Sequence, residues 1–290
     1  MPAVADLGVT DQADPGQAYD PTLYRGSAAH YLPGRPPYSA MLADVVRAEL
    51  DLDGTGRLLD VGCGPGVLAV QLAELFEAVI GLDPDPDMIA EARRHAADRG
   101  VTNADWVVAR AEDIPSLSLP SLRVVTFGQS FQWTDQGRVA EAVYDLLPPG
   151  GAIVLVAPDI DVGTPPADLS DPPIPDDEVQ ALVRRYLGPE KRAGQGLARP
   201  SPDRYEDALA RTRFGPPKVV HAPGRADLTR DVDGVISGYL SMSYAAPHLF
   251  GDNLDSFVND LRALLEARTT TGWFSDWPGD TAVLIATKRA

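Results

Sequence analysis

The chain has 290 residues, of which 44% are hydrophobic and 23% charged, so its length fits one large domain or two small ones with a buried core. Acidic residues outnumber Lys and Arg by 42 to 25, and the net charge of −17 argues against a nucleic-acid partner or an anionic membrane surface. The single cysteine, Cys63, excludes an intramolecular disulfide and a cysteine-based zinc site, and no apolar run reaches the about 18 residues that a membrane span needs.

The N-terminal segment, residues 1–20, is polar and lacks periodicity, which predicts a mobile tail. It has neither the basic nor the apolar region of a signal peptide. Together with the single cysteine, this predicts a cytoplasmic protein.

Between residues 38 and 160, short apolar runs alternate with helical patterns. The predicted strands are 57–61, 78–82, 104–109, 122–127 and 152–157, and the predicted helices are 38–50, 67–76, 86–98 and 136–147. The apolar runs are continuous, as expected of parallel strands that are covered on both faces. Strand–helix alternation of this kind predicts an α/β fold with a doubly wound sheet.

The composition changes after Pro158, where six prolines within residues 158–176 predict a loop or linker. Further elements are predicted at 177–187 (helix), 217–222 (strand), 230–242 and 253–267 (helices) and 282–287 (strand). We interpret the second half as an insertion and cover within one α/β domain, rather than as a second domain. The predicted parts are a tail (1–20), a core (21–160), a proline-rich insertion and cover (161–215) and a C-terminal part that completes the sheet and a substrate pocket (216–290).

A glycine turn follows the strand 57–61 and carries Gly62, Gly64 and Gly66 before a helical pattern. Glycine permits positive φ and close approach of a ligand, and a helix N-terminus presents free amides. The spacing G-x-G-x-G differs from the dinucleotide fingerprint, because Val67 occupies the next position, and no Gly-Lys-Ser/Thr follows as in a P-loop.

Two carboxylates flank this turn. Asp60 stands just before it, where it would repel a pyrophosphate but can pair with an amine. Asp83 follows the second predicted strand, and at this position a carboxylate can accept hydrogen bonds from both hydroxyls of a ribose. The implied ligand carries a ribose and a positive charge and needs no phosphate.

The segment from Asp60 to Gly66 resembles the E/D-x-G-x-G-x-G motif of class I S-adenosylmethionine-dependent methyltransferases. Three later segments resemble the same family: Ala111-Glu112-Asp113, TFGQSFQW (126–133) and LLPPGGAIVLV (146–156). The resemblance covers residues 20–160 and implies a Rossmann-like, mostly parallel sheet with a reversed last strand, at 282–287, and a helical cover. Residues 31–38 and the Ser-Phe-x-Trp segment resemble the trans-aconitate methyltransferase-like branch, which acts on small molecules.

The resemblance implies binding of S-adenosyl-L-methionine, with S-adenosyl-L-homocysteine as the product. It places the glycine turn under the methionine part, Asp83 at the ribose, Glu112 or Asp113 near the adenine and Gln129 under the methionine chain. The predicted cofactor residues are Tyr31, Arg35, Asp60, Gly62, Cys63, Gly64, Gly66, Asp83, Pro84, Met88, Ala111, Glu112, Asp113 and Gln129.

The catalytic residue stays unassigned. Gln132 stands where many relatives have a histidine, and an amide does not titrate, so it cannot be a base. His30 is a candidate base. No two of the four histidines share metal-ligand spacing on one helix, so no metal site is predicted. The candidate substrate-binding residues are Gln132, Trp133, Tyr239, Tyr244 and His248.

The sequence at the end of the fourth strand, Gly128-Gln129-Ser130-Phe131, differs from the D/N/S-P-P-Y/F motif of amino-methylating DNA enzymes. The only thiol is not the Pro-Cys nucleophile of cytosine-C5 enzymes. The resemblance therefore implies in-line methyl transfer to an O, N or C atom of a small molecule, by a monomer or homodimer. A cofactor-binding protein that transfers no methyl group and a cyclase of the same fold are the alternatives.

Overall fold

The computed structural model describes residues 11–12, 20–159, 169–197, 199–200, 204–225 and 227–289. Most of the predicted N-terminal tail, and residues 160–168 of the proline-rich segment, lie outside the described residues.

A seven-stranded sheet forms the centre of the fold. Its strands are β1 (Arg57–Val61), β2 (Ala78–Asp83), β3 (Ala104–Val108), β4 (Val124–Gly128), β5 (Ala152–Asp159), β6 (Lys218–Ala222) and β7 (Asp280–Thr287). The strand order is β6-β7-β5-β4-β1-β2-β3. Strand β7 is antiparallel to both of its neighbours, and the pairs from β5 to β3 are parallel. This confirms the predicted doubly wound, mostly parallel sheet with a reversed last strand.

Helices cover both faces of the sheet and form a separate layer beside it. They are α1 (Ala28–Gly34), α2 (Leu42–Leu50), α3 (Val67–Leu72), α4 (Pro86–Asp98), α5 (Gln136–Leu146), α6 (Asp176–Leu187), α7 (Tyr205–Ala210), α8 (Val232–Leu240) and α9 (Leu254–Glu266). Short 3-10 turns occur at Ala73–Leu75, Ala111–Ser116, Phe131–Trp133, Pro247–Leu249 and Gly251–Asn253. Short strands pair as Asp11–Gln12 with Arg199–Pro200, Arg192–Ala193 with Gly196–Leu197, and Thr229–Asp231 with Trp273–Ser275. Among the described residues, no helix combines the length and apolarity that a membrane crossing requires.

The start of α4 follows from its local sequence. The Asp85 side chain accepts a hydrogen bond from the Asp87 amide at 2.8 Å, and Pro86 occupies the first helical position. A capping carboxylate and an N-terminal proline both favour a helix start. The helix therefore begins at the residue that the sequence predicts.

Neighbouring residues of each inner strand face opposite sides of the sheet, and both sides are buried. Leu58 packs in one apolar cluster with α2 and α3, while Leu59 packs in another with α5 and α7. This double coverage explains why the strands appear in the sequence as continuous apolar runs.

The cover is a third apolar cluster, formed by α6, α8 and α9. Helix α1 is held against α8 at very close range, because a Cβ on Gly34 would lie 2.3 Å from the backbone of Ser237 and Gly238. The segment that precedes α2 is thereby tied to the C-terminal half of the chain.

Candidate active site

A cavity of about 480 Å³ opens at the carboxyl ends of the parallel strands. Ligands of open α/β sheets bind at this edge, and this volume suits a small molecule. Eleven of the residues predicted from the sequence line it: Tyr31, Gly62, Gly64, Asp83, Pro84, Met88, Ala111, Glu112, Gln129, Gln132 and Trp133.

The three glycines of the turn have φ values of +63°, +52° and +76°. A Cβ on Gly62 would lie 2.5 Å from the Cβ of Ser130, and one on Gly66 would lie 2.5 Å from the Trp106 ring. A Cβ on Gly64 would meet no protein atom within 4 Å, although Gly64 lines the cavity. Packing therefore requires glycine at the first and third positions, while the second keeps the cavity open above the backbone.

Asp83 links the turn to the end of β2. Its Oδ2 accepts a hydrogen bond from the Gly64 amide at 2.8 Å, and its Oδ1 accepts one from the Asp85 amide at 2.9 Å. Burial raises the pKa of Asp83 to about 6. The carboxylate is thus held in a fixed orientation at the cavity wall.

Asp60 lies beneath the turn and does not line the cavity. Its Oδ1 accepts a hydrogen bond from Thr126 Oγ1 at 2.7 Å. Its Oδ2 is buried without a hydrogen-bond partner among the described residues. Burial raises the pKa of Asp60 to about 7, although the hydrogen bond from Thr126 lowers it.

We expect the free energy of unfolding to fall less between pH 4 and pH 8 in the Asp60→Asn variant than in the wild type. The folded-state pKa lies above the reference value of 3.8, so ionisation of Asp60 weakens the folded state as the pH rises from about 4 through about 7. Thermal unfolding across this pH range, with the exposed Asp98→Asn as the control, measures the change. An unchanged pH dependence in Asp60→Asn would contradict the assignment.

The two acidic residues of the 111–113 segment have different roles. Glu112 lines the cavity, where its Oε1 accepts from the Asp135 amide at 3.1 Å and its Oε2 pairs with Arg110 at 3.2 Å. Asp113 accepts a hydrogen bond from the Arg110 amide and does not line the cavity. The sequence predicts that either Glu112 or Asp113 lies near the adenine of the cofactor. Glu112 lines the cavity and Asp113 does not, so Glu112 remains the candidate.

The structure does not bring Arg35 or Cys63 to the cavity. The Arg35 guanidinium donates to Ser241 Oγ at 2.8 Å and to the Ser241 carbonyl at 3.0 Å, and it lies 5.1 Å from the centre of the Tyr31 ring. Cys63 is buried inside the turn, and burial raises the pKa of its thiol. Arg35 therefore ties α1 to the cover, and Cys63 fills the turn from within.

Three predicted substrate residues, Tyr239, Tyr244 and His248, also lie away from the cavity. The Tyr239 hydroxyl donates to Asp176, the Tyr244 hydroxyl accepts from Gln180 at 2.8 Å, and His248 Nδ1 lies 3.1 Å from the Arg25 carbonyl. The tyrosines lie in or against the apolar cluster of the cover, and His248 contacts the turn before α1. The helical spacing of the aromatic residues in the segment 237–257 therefore comes from packing within the cover and not from a substrate pocket. The candidate base His30 also lies outside the cavity lining.

Two segments without a predicted site residue complete the cavity. Leu23 and Tyr24 come from the turn before α1, and Ala193 and Leu197 come from the hairpin 192–197. Asp20 joins the two segments, because its Oδ2 accepts from the Gln195 amide at 2.6 Å. Such a contact across 175 residues leaves no local signal in the sequence.

Tyr24 and Trp133 form an aromatic corner. Their ring centres are 6.1 Å apart, and the ring planes meet at 85°. Both side chains line the cavity, with Leu23 and Leu197 beside them. Edge-to-face pairs of this kind are stable and present a rigid apolar surface.

Gln129 and Gln132 belong to a buried chain of hydrogen bonds. Gln129 has φ +54°, which is uncommon for a residue other than glycine, and lines the cavity. Gln132 Nε2 donates to the Gln129 carbonyl at 2.9 Å, and the Tyr205 hydroxyl donates to Gln132 Oε1. Gln132 therefore holds the strained Gln129 backbone in place.

We expect Gln132→Met, a change of similar length without the amide, to lower the free energy of unfolding by about 1–3 kcal/mol. The change removes two hydrogen bonds of the amide, one to the part-buried Gln129 carbonyl and one from the Tyr205 hydroxyl. Chemical denaturation measures the loss, with Gln136→Met as a matched control. Equal stability of Gln132→Met and the wild type would contradict the proposed role of the amide.

The comparisons with known proteins agree with this geometry. A family model described as "Methyltransferase domain" matches residues 58–151. A 2-heptyl-1-hydroxyquinolin-4(1H)-one methyltransferase of Mycobacteroides abscessus is 32% identical over 172 residues, which are 56% of this chain and 73% of that protein. This chain belongs to the class I S-adenosylmethionine-dependent methyltransferases.

A second relative matches a shorter region of this methyltransferase than the first relative does. A ubiquinone biosynthesis O-methyltransferase of Xanthomonas oryzae pv. oryzae is 35% identical over 113 residues, which are 39% of this chain and 46% of that protein. The chain thus spans less than half the length of that relative. Among solved structures, the YcgJ protein of Bacillus subtilis is 17% identical with a TM-score of 0.47, over 86% of this chain and 98% of that one.

The residues at the cavity of this methyltransferase suit its family's methyl donor. The open space above Gly64 provides a cradle that a Cβ would fill. Asp83 presents a fixed carboxylate for ribose hydroxyls, and Pro84, Met88 and Ala111 offer apolar surface for an adenine ring.

Proposed function

We propose that this methyltransferase transfers the methyl group of S-adenosylmethionine to a hydroxyl oxygen of a small, flat, largely apolar molecule. The aromatic corner of Tyr24 and Trp133, on the same cavity as Gly64 and Asp83, is the observation that carries the proposal. The relatives support it, because one is an O-methyltransferase of ubiquinone biosynthesis and another is a methyltransferase of a hydroxyquinolone.

The side of the cavity at the ends of β1, β2 and β4 would hold the methyl donor. Asp83 would accept hydrogen bonds from the ribose hydroxyls, Met88 and Ala111 would pack against the adenine ring, and Glu112 would lie near its amino group. Gln129 would lie beside the methionine part. When bound, S-adenosylmethionine supplies an electrophilic methyl group on a sulfonium centre, and the carboxylates of the cavity suit its positive charge.

The opposite side would position the acceptor. Tyr24 and Trp133 would hold a flat ring, and Leu23, Ala193 and Leu197 would exclude water from it. Orientation and removal of water account for much of the rate gain when the reacting group is already activated. The cytoplasmic location and the monomeric or dimeric state remain predictions.

Calorimetry with S-adenosylmethionine, S-adenosylhomocysteine and NADH tests the donor, and we expect binding of the first two only. Formation of S-adenosylhomocysteine with aromatic hydroxyl compounds, aromatic amines, aliphatic alcohols and a DNA oligonucleotide then tests the acceptor. We expect product with the aromatic hydroxyl compounds. Tight donor binding without product from any acceptor would contradict methyl transfer to this class and would favour the alternative of a non-methylating protein or cyclase.

A further inference from the structure

The described lining of the cavity contains no histidine and no cysteine, the two side chains whose ordinary pKa values lie nearest to neutral pH. All four histidines and the single cysteine of the chain lie in described residues, and none of them lines the cavity. His95 is held by the Pro65 carbonyl, with its Nδ1 at 3.0 Å, and His221 lies on the edge strand β6. Gln132 offers only an amide, which is already bonded to Gln129 and Tyr205.

Among the described residues, five carboxylates line the cavity, and each accepts hydrogen bonds from the chain. They are Asp20, Asp83, Asp85, Glu112 and Asp135. Asp85 and Asp135 cap α4 and α5, and Glu112 pairs with Arg110. Bonds to the ionised form weaken a carboxylate as a base. Burial raises the pKa of Asp83 to about 6 and the pKa of Asp85 above its usual value. Both oxygens of Asp83 nevertheless accept hydrogen bonds from backbone amides, and Asp83 and Asp85 lie beside the glycine turn, where we propose that the methyl donor binds, and not at the aromatic corner.

Asp20 lines the cavity and lies four residues before Tyr24, one of the two rings of the aromatic corner. Its Oδ1 accepts from the amide and the hydroxyl of Thr22, and its Oδ2 accepts from the Gln195 amide. Burial alone would raise the pKa of Asp20. The hydrogen bonds from Gln195 and Thr22 outweigh this effect and hold the pKa of Asp20 below its usual value. A base this weak contributes little to proton removal at neutral pH.

The remaining charged or titratable groups of the described lining are two tyrosines and two arginines. Burial raises the pKa of Tyr24, so its hydroxyl stays protonated. The Tyr31 ring lies against the Arg35 guanidinium. Arg110 and Arg138 are cations and cannot accept a proton.

We propose that the acceptor enters as an oxyanion, so that the substrates are hydroxyl compounds acidic enough to ionise without a base from the described lining of the cavity. This inference rests on the proposed O-methylation and narrows its substrate class to phenols, enols and similar acids. The acceptor loses its proton to solvent before it binds. Its oxygen then supplies the electron pair of the new O–C bond, while the electron pair of the broken C–S bond goes to the sulfur.

A series of substituted phenols tests the inference through the pH dependence of kcat/KM. We expect the rise in kcat/KM for phenol, 4-chlorophenol and 4-nitrophenol to occur at the pKa of each free phenol, earliest for 4-nitrophenol. His30→Gln and Asp20→Asn should leave the position of the rise unchanged. A rise at one pH for all three phenols, or one displaced in either variant, would reveal a base on the enzyme and overturn the inference.

A binding measurement tests the inference without turnover. With S-adenosylhomocysteine present, 4-nitrophenol titrated into the protein should show the visible band of its anion. Its Kd should increase about tenfold for each pH unit below its own pKa, because only the ionised fraction binds. Binding as the neutral phenol would overturn the inference. Methylation of amines alone, with S-adenosylmethionine binding intact, would instead contradict the proposed O-methylation.

Discussion

Asp83→Asn should raise the Kd for S-adenosylmethionine by about 10- to 100-fold. The carboxylate accepts two backbone hydrogen bonds, from Gly64 and Asp85, and it faces the cavity. An asparagine has one carbonyl oxygen, so one of the two amides loses its partner, and the charge that would bind the ribose hydroxyls is gone. A hydrogen bond to a charged group contributes about 1.5–3 kcal/mol, and about 1.4 kcal/mol is a factor of ten in Kd. Isothermal titration calorimetry measures the change.

Asp87→Asn is the matched control for this change. Asp87 lies four residues further on, is exposed in the first turn of α4 and does not line the cavity. Its variant should keep the Kd within about twofold of the wild type, because a surface charge near a helix end is worth only about 0.3–1 kcal/mol. If Asp83→Asn binds as tightly as Asp87→Asn and both are folded, the assigned role of Asp83 is wrong.

The glycine turn, Asp83 and the start of α4 can be predicted from the sequence because the signals for them are local. The turn needs positive φ within five residues of β1, and only glycine adopts it without strain. The start of α4 needs a capping carboxylate and permits a proline, and Asp85 and Pro86 supply both. Parallel strands then bring Gly64 and Asp83 together at one edge of the sheet.

The part of the cavity formed by Tyr24 and the hairpin 192–197 could not be predicted in the same way, because its geometry depends on contacts between distant segments. The aromatic residues of 237–257 have the same spacing whether they line a pocket or a core, and packing against α6 and α9 decides the outcome. Helix α1 contains Pro33, which usually indicates a break, and is held through the close contact of Gly34 with α8. The contribution of Tyr24 depends on the bond between Asp20 and Gln195.

Gly64→Ala and Gly66→Ala separate the space that a ligand needs from the space that the fold needs. A Cβ added at Gly66 would lie 2.5 Å from the Trp106 ring, with φ at +76°, so Gly66→Ala should lower the free energy of unfolding by about 2–4 kcal/mol.

Gly64→Ala should weaken cofactor binding more than it weakens the fold. The new methyl group would meet no protein atom within 4 Å, so its cost to the fold is the positive φ of +52°, about 1–2 kcal/mol. It would occupy the open space above the turn, where we propose that the methionine part of the cofactor lies. Calorimetry should show at least a tenfold loss of S-adenosylmethionine affinity, while thermal unfolding shows a smaller loss of stability than in Gly66→Ala. If Gly64→Ala binds S-adenosylmethionine as the wild type does, the cofactor does not approach the backbone at this glycine, and another part of the cavity must hold it.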